Sequence, residues 1–183
     1  MNGMQPTINP LWDSGNYILM DGITDKSCLD AINFILYHNM KESPLSHLTI
    51  IINSPGGSVS AAFALIDVMK TSKIPVHTNA IGSIASCGVL LTMSGAKGNR
   101  TISETCQAMS HQYSWGAQGK HADLVSVRKA QDMTDELLLN HYHKCTGKSR
   151  SFIKKNLLPH HDVWLTAAEA VEMGICDQVQ EIY

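Results

Sequence analysis

Charge is scarce in this chain. Lys and Arg total 14 and Asp and Glu 16 among 183 residues, so charged side chains make up 16% and the formal net charge is −2 with nine histidines counted neutral. No basic cluster marks a nucleic-acid face or a membrane-binding face. Long apolar runs are also missing. The longest, such as Val89 to Met93, fall far short of a bilayer span. The first residues, MNGMQPTINPLWDSGN, have no basic stretch followed by an apolar one, which argues against a secretory signal. The five cysteines, Cys28, Cys87, Cys106, Cys145 and Cys176, are scattered and odd in number, without a CxxC pair. They read as free thiols in a reducing compartment, with the cytoplasm as the expected location. No linker, repeat or low-complexity tract interrupts the chain.

What is present is a hydrophobic content of 44% in a length that suits one domain with a full core. Residues 1–16 are expected to form a loose N-terminal segment and 17–183 a single domain. Strand patterns at Tyr17–Met20, Leu48–Ile52, Val76–Ile81, Gln107–Ser110 and Gln178–Glu181 alternate with helical ones. Helices are expected after the N-cap residues Thr24, Ser58 and Thr166. The first should bury Cys28, Ile32, Ile35 and Leu36. Gly82 and Ser83 should turn the chain into a small-residue helix, Ala85–Met93. The longest helix should run over about Ala122–Lys144, with Gly147 closing it. Strand–helix alternation predicts an α/β fold: a mainly parallel sheet flanked by helices, with sites at the C-terminal ends of strands.

Two strand-end loops carry candidate chemistry. In Gly82-Ser83-Ile84-Ala85-Ser86-Cys87-Gly88, Ser86 should sit at a helix N-terminus, where the Cys87 N–H is still free. An accessible hydroxyl beside a free donor is what an acyl-transfer serine needs. A simpler reading makes Ser86 an N-cap in a tight turn. The second loop is Asn53-Ser54-Pro55-Gly56-Gly57. A helix-entry turn explains one glycine; two adjacent glycines would let a substrate backbone come close and offer a second oxyanion donor. Of the histidines, His111 ends a strand and precedes a glycine-containing loop, as a base should. His38, His47, His77 and His121 read as surface or turn residues. His141 and Cys145 could share a helix face, but no further ligand completes a metal site. Asp162, in the loop after Pro159-His160-His161, is a candidate for the acid that orients the base. Thr146-Gly147-Lys148-Ser149 imitates the end of a P-loop, but Tyr142 stands where that motif needs glycine.

These residues resemble the ClpP family, the serine peptidase subunits of the Clp protease. The shared stretches are Ile52-Asn53-Ser54-Pro55-Gly56-Gly57-Ser58-Val59, Ala85-Ser86-Cys87-Gly88, Gly95-Ala96-Lys97-Gly98-Asn99-Arg100, Met109-Ser110-His111-Gln112, Gly116-Ala117-Gln118-Gly119 and the segment Leu165 to Gly174. They occur in family order over roughly Tyr17 to Val179. The resemblance implies a crotonase-like α/β fold and hydrolysis of unfolded polypeptides inside two stacked seven-membered rings. A Clp ATPase or other ClpP subunits are the implied partners, with no cofactor, metal, nucleic acid or membrane. It assigns Ser86 as nucleophile, His111 as base, and the N–H groups of Gly57 and Cys87 as the oxyanion hole. The acid falls on His160 counting forward from His111 and on Asp162 counting back from Leu165-Thr166-Ala167; only Asp162 has the required carboxylate.

Departures from the family pattern are specific. Cys87 replaces the usual Met, Tyr113 replaces a Pro after His-Gln, and His160-His161 stands where an aspartate–arginine pair is common. Thr49, Ile51, Thr71 and Thr101 occupy positions that carry aromatic residues in the family's ATPase-docking cleft. Two other readings stay open: a non-catalytic ring subunit, and a crotonase-type acyl-CoA enzyme, which needs no serine nucleophile.

Overall fold

The computed structural model describes residues 10–181. In chain order the elements are α1 (Pro10–Asp13), β1 (Asn16–Leu19), α2 (Asp25–Asn39), β2 (Leu48–Ser54), α3 (Val59–Thr71), β3 (Val76–Ala85), α4 (Cys87–Met93), β4 (Arg100–Ser103), β5 (Gln107–Ser110), α5 (His121–Thr146), α6 (Arg150–Asn156), β6 (Val163–Leu165), α7 (Ala167–Glu172) and β7 (Gln178–Gln180). The sheet runs β1-β2-β3-β4-β7, and every pair along this path is parallel. This is the expected α/β architecture. The β-branched run at the centre of β2 alternates buried and half-buried positions, as a strand packed on one face requires. Capping follows the sequence closely: Thr24 and Thr166 form reciprocal capping boxes with Ser27 and Glu169, Ser58 accepts from the Ala61 N–H, and Gly147 ends α5 in the left-handed region at φ 72°.

Strand β3 does the most to place the site. Its first half pairs with β4, Thr78–Ala80 against Arg100–Ile102. Its second half pairs with β5, Ser83–Ala85 against Gln107–Met109. β5 then pairs antiparallel with β6. The expected turn at Gly82–Ser83 is therefore corrected: the strand continues through Ala85. Gly82 takes φ 60° inside the strand, beside a register shift in β2 between Ile52 and Ser54. Glycine here marks an irregularity within a strand rather than its end.

Two burial expectations also change. In α2 the buried face is Cys28, Ala31, Phe34, Ile35 and His38, and Leu36 is exposed. His38 was expected at the surface but is fully buried. Its Nε2–H donates to the Trp12 carbonyl at 2.8 Å, and burial lowers its pKa despite that bond. Trp12 packs edge-on against Phe34. Helix α1, within the expected N-terminal segment 1–16, is thus attached to the core through Trp12; residues 1–9 lie outside the described residues.

Candidate active site

Ser86 follows the last residue of β3 and precedes the first of α4. Its backbone has φ 52° and ψ −119°, and it is the one non-glycine residue with positive φ among the described residues. Such a conformation costs on the order of 1–3 kcal/mol and persists only where surroundings impose it. They do so here: the Ser86 N–H donates to the Met109 carbonyl at 2.9 Å, which continues the β3–β5 ladder by one residue. The serine caps α4 by position, yet its side chain makes no capping hydrogen bond. The simpler reading of Ser86 as an N-cap thus lacks the bond that would define it.

The two glycines meet separate steric demands. A Cβ on Gly56 would lie 2.7 Å from the Ser86 Cβ and 2.8 Å from the Ala85 oxygen. A Cβ on Gly57 would collide with the Ile23 carbonyl oxygen. On the sides where their Cβ atoms would lie, both glycines are closely approached by the protein's own chain. The loop is pinned by bonds from the Ile23 N–H to the Gly56 carbonyl and from the Ser58 N–H to the Ile23 carbonyl, both 2.8 Å. That pairing turns the Gly57 N–H away from Ile23. Neither it nor the Cys87 N–H donates to an acceptor among the described residues.

His111 follows the last residue of β5, and its neighbours anchor it. Ser110, fully buried, donates from Oγ to the Leu157 carbonyl at 2.6 Å. Its lone pairs then accept from the Tyr142 hydroxyl at 2.7 Å. Burial pushes the Tyr142 hydroxyl up to about 12, against the opposing bond to Ser110, so it keeps the proton that it donates. Gln112 donates from Nε2 to the Leu158 carbonyl at 2.9 Å. The end of β5 is thereby tied on both sides of His111 to the segment leaving α6. Nothing in local sequence pattern announced Ser110 or Tyr142; their pairing spans α5 and β5 and shows only in three dimensions.

Ser86, Cys87 and His111 line one narrow cavity of about 20 Å³ with Val59, Leu90, Tyr113, Leu138, Tyr142 and Leu158. The structure brings serine and histidine to one cavity without joining them by a hydrogen bond. Asp162 is exposed and makes no ion pair or hydrogen bond with His111. Its backbone position is nonetheless informative. The β5–β6 ladder pairs Ala108 with Leu165, Met109 with Trp164 and Ser110 with Val163; one further step sets His111 opposite Asp162. His160 lines a different cleft, beside Gln112, Asp132 and Lys155. A third cleft, of about 410 Å³ between α3 and α5, is rimmed by Lys70, Lys97 and Lys144 and excludes Ser86. Among the described residues no group of three or more His, Cys, Asp or Glu could hold a metal ion. His141 and Cys145 do meet, with 3.7 Å between Nε2 and Sγ. Among the described residues no helix is long and apolar enough to cross a membrane.

A hydroxyl held on a strained strand-to-helix turn, an imidazole in the same cavity and two peptide N–H groups without an acceptor among the described residues are parts that an acyl-transfer site requires. The Clp protease family matches residues 4–182. The chain is 34% identical over 182 residues to the ATP-dependent Clp protease proteolytic subunit 1 of Chlamydia muridarum, covering 98% of this chain and 93% of that protein. It is 34% identical over 169 residues to the protein of the same name from Chlamydia abortus, covering 91% and 86%. With that of Chlamydia trachomatis serovar D it shares 32% identity over 182 residues, covering 98% and 93%. The chain belongs to the Clp protease family.

Proposed function

We propose that this chain is a proteolytic subunit of a Clp protease, a serine endopeptidase in which Ser86, His111 and Asp162 act as one unit. Ser86 Oγ attacks the peptide carbonyl while His111 takes its proton. His111 then delivers that proton to the leaving amine, and water, activated by the same imidazole, hydrolyses the acyl-enzyme. The N–H groups of Gly57 and Cys87 receive the oxyanion. Asp162 fixes the imidazole tautomer and stabilises the imidazolium. Family membership supports the reaction class. The observation that carries the reading is the positive-φ Ser86 at the start of α4, together with Gly57 and Cys87 N–H groups that have no acceptor among the described residues.

The same reading includes unfolded polypeptides as substrates, a closed chamber of two seven-membered rings, a cytoplasmic location, and engagement with a Clp-family ATPase or with other ClpP subunits. The missing hydrogen bonds from His111 to Ser86 and Asp162 favour a second reading, a ring subunit that regulates others without cleaving. Hydrolysis of a short fluorogenic peptide, measured with the mass of the assembly, separates the two. Ser86→Ala and His111→Ala are each expected to lower turnover about 10³-fold or more, with the double variant little worse. Wild-type protein that assembles but hydrolyses nothing supports the regulatory reading. Activity that survives Ser86→Ala points to acyl-CoA chemistry of the crotonase type.

A further inference from the structure

Cys87 brings more than a backbone donor to the site. Its side chain is 1% exposed, and its Sγ lies 3.2 Å from the Gly57 carbonyl oxygen, toward which the thiol donates. The geometry around Gly57 gives this bond leverage. On one side the loop is held by Ile23, through the bonds to Gly56 and from Ser58. The Gly57 carbonyl itself has no backbone donor among the described residues, so the thiol is the donor that links it to the first residue of α4. The tie joins the two residues whose N–H groups are the proposed oxyanion donors. Burial raises the thiol's pKa against the opposing bonds to Gly57 and Ser86, so the proton stays on sulfur at neutral pH. A methionine, the usual residue at this place in the family, has no proton to give.

We infer that the Cys87 thiol is a positioning group. By donating to the Gly57 carbonyl it holds the Gly57–Ser58 peptide against the first turn of α4 and, through the Gly57 Cα, sets where the Gly57 N–H on the preceding peptide lies relative to the Cys87 N–H. This rests on the peptidase reading above. Oxyanion donors act through their placement, and misplacement by about 1 Å costs on the order of 10² in rate. Loosening one donor loop should therefore lower turnover without weakening ground-state binding.

The test compares full-length wild type, Cys87→Ala and Cys87→Ser by two independent readouts. The first is amide hydrogen exchange at Ile23 and Ser58, whose N–H groups pin the loop. The second is kinetic: kcat and KM for a fluorogenic peptide, with affinities for a peptide aldehyde, which forms a tetrahedral adduct with serine, and for the matching peptide amide. Cys87→Ala is expected to speed exchange at both amides. It should lower kcat roughly ten- to a hundredfold with KM unchanged, and weaken the aldehyde in proportion while leaving the amide alone. Cys87→Ser keeps a donor and should recover at least threefold of the lost kcat. Wild-type exchange and kcat in Cys87→Ala would overturn the inference. So would equal losses in both variants with the amide weakened as much as the aldehyde, because that pattern reports lost packing alone. If wild-type protein hydrolyses no peptide, the peptidase reading fails separately. Exchange then decides the tie: faster in Ala but not in Ser upholds it, and no change in Ala removes it.

Discussion

The residue with the least support from its own side-chain contacts is Asp162, and its assignment turns on strand register. Counting at the spacing of the resembled family reaches His160 from His111 and Asp162 from Leu165-Thr166-Ala167, two residues apart. Extended one step beyond its last pair, Ser110–Val163, the antiparallel ladder would set position 162 across from His111, while His160 lines another cleft. Asp162→Ala should therefore lower kcat by about 10⁴-fold, the scale expected when an orienting acid is lost and the tautomer is wrong. His160→Ala should stay within a fewfold of wild type. Steady-state kinetics on the two variants checks this, and the reverse ranking would return the acid's role to His160. Ser86, His111 and the Gly56-Gly57 pair could be read from sequence because each sits at a strand end within a short local pattern. The anchors Ser110 and Tyr142 could not be, since what makes them matter is a contact between residues 32 apart in the chain.

Element boundaries failed where glycine was taken as punctuation. Gly82 reads as a turn after β3 but is a left-handed residue inside it, and the four residues from Gly82 to Ala85 beyond the expected end at Ile81 are what bring β3 alongside β5. The sheet's other edge depends on a long-range pair that also left no local trace. Arg100, at the start of β4, donates from Nε to Asp177 Oδ2 at 2.8 Å, and from Nη1 to the Cys145 carbonyl at 3.0 Å. The two side chains are 3% and 15% exposed. Burial alone would raise the Asp177 carboxyl. The guanidinium and the N–H groups of Arg100 and Gly98 outweigh it and hold the carboxyl below its usual range. A carboxylate depressed in the folded state adds stability that is full above its unfolded pKa, about 3.9, and lost as pH falls through the folded value. Asp177→Asn should leave a buried guanidinium without its counter-charge and cost about 3–5 kcal/mol at neutral pH. Denaturant unfolding should show that gap narrowing below about pH 4; a gap constant down to pH 2 would contradict the assignment.

At the scale of the whole molecule, the surface leaves apolar area that the single chain does not cover. Along α5, Leu124, Val125, Met133 and Leu137 are exposed, while its buried residues begin only at Leu138. Exposed apolar area of this kind is what the proposed ring assembly would cover. The face that the family resemblance would assign to ATPase docking looks different. Ile51, Asn79 and Thr101 lie in one register row across β2, β3 and β4, and Thr49 shares the face with Ile51 at the strand's two-residue period. Ile51, Thr49 and Thr101 are half-buried and Thr71 is exposed, so aromatic walls are replaced by small, mostly polar ones. Each fully buried aromatic or large aliphatic side chain contributes roughly 1.5–3 kcal/mol, and about 1.4 kcal/mol is tenfold in affinity. Rings of this chain alone should therefore bind a standard Clp ATPase with ATP more weakly than micromolar. Sub-micromolar binding in a fluorescence titration would show that the smaller cleft suffices. The central claim, that Ser86 is a nucleophile driven by His111, is tested most directly by covalent capture. Protein treated with a peptidyl fluorophosphonate is digested and the adduct is located by mass. The account predicts modification of the wild-type chain at Ser86, none in Ser86→Ala, and labelling slowed about 10³-fold in His111→Ala. An unlabelled Ser86 in assembled wild-type protein, or undiminished labelling without His111, would contradict it.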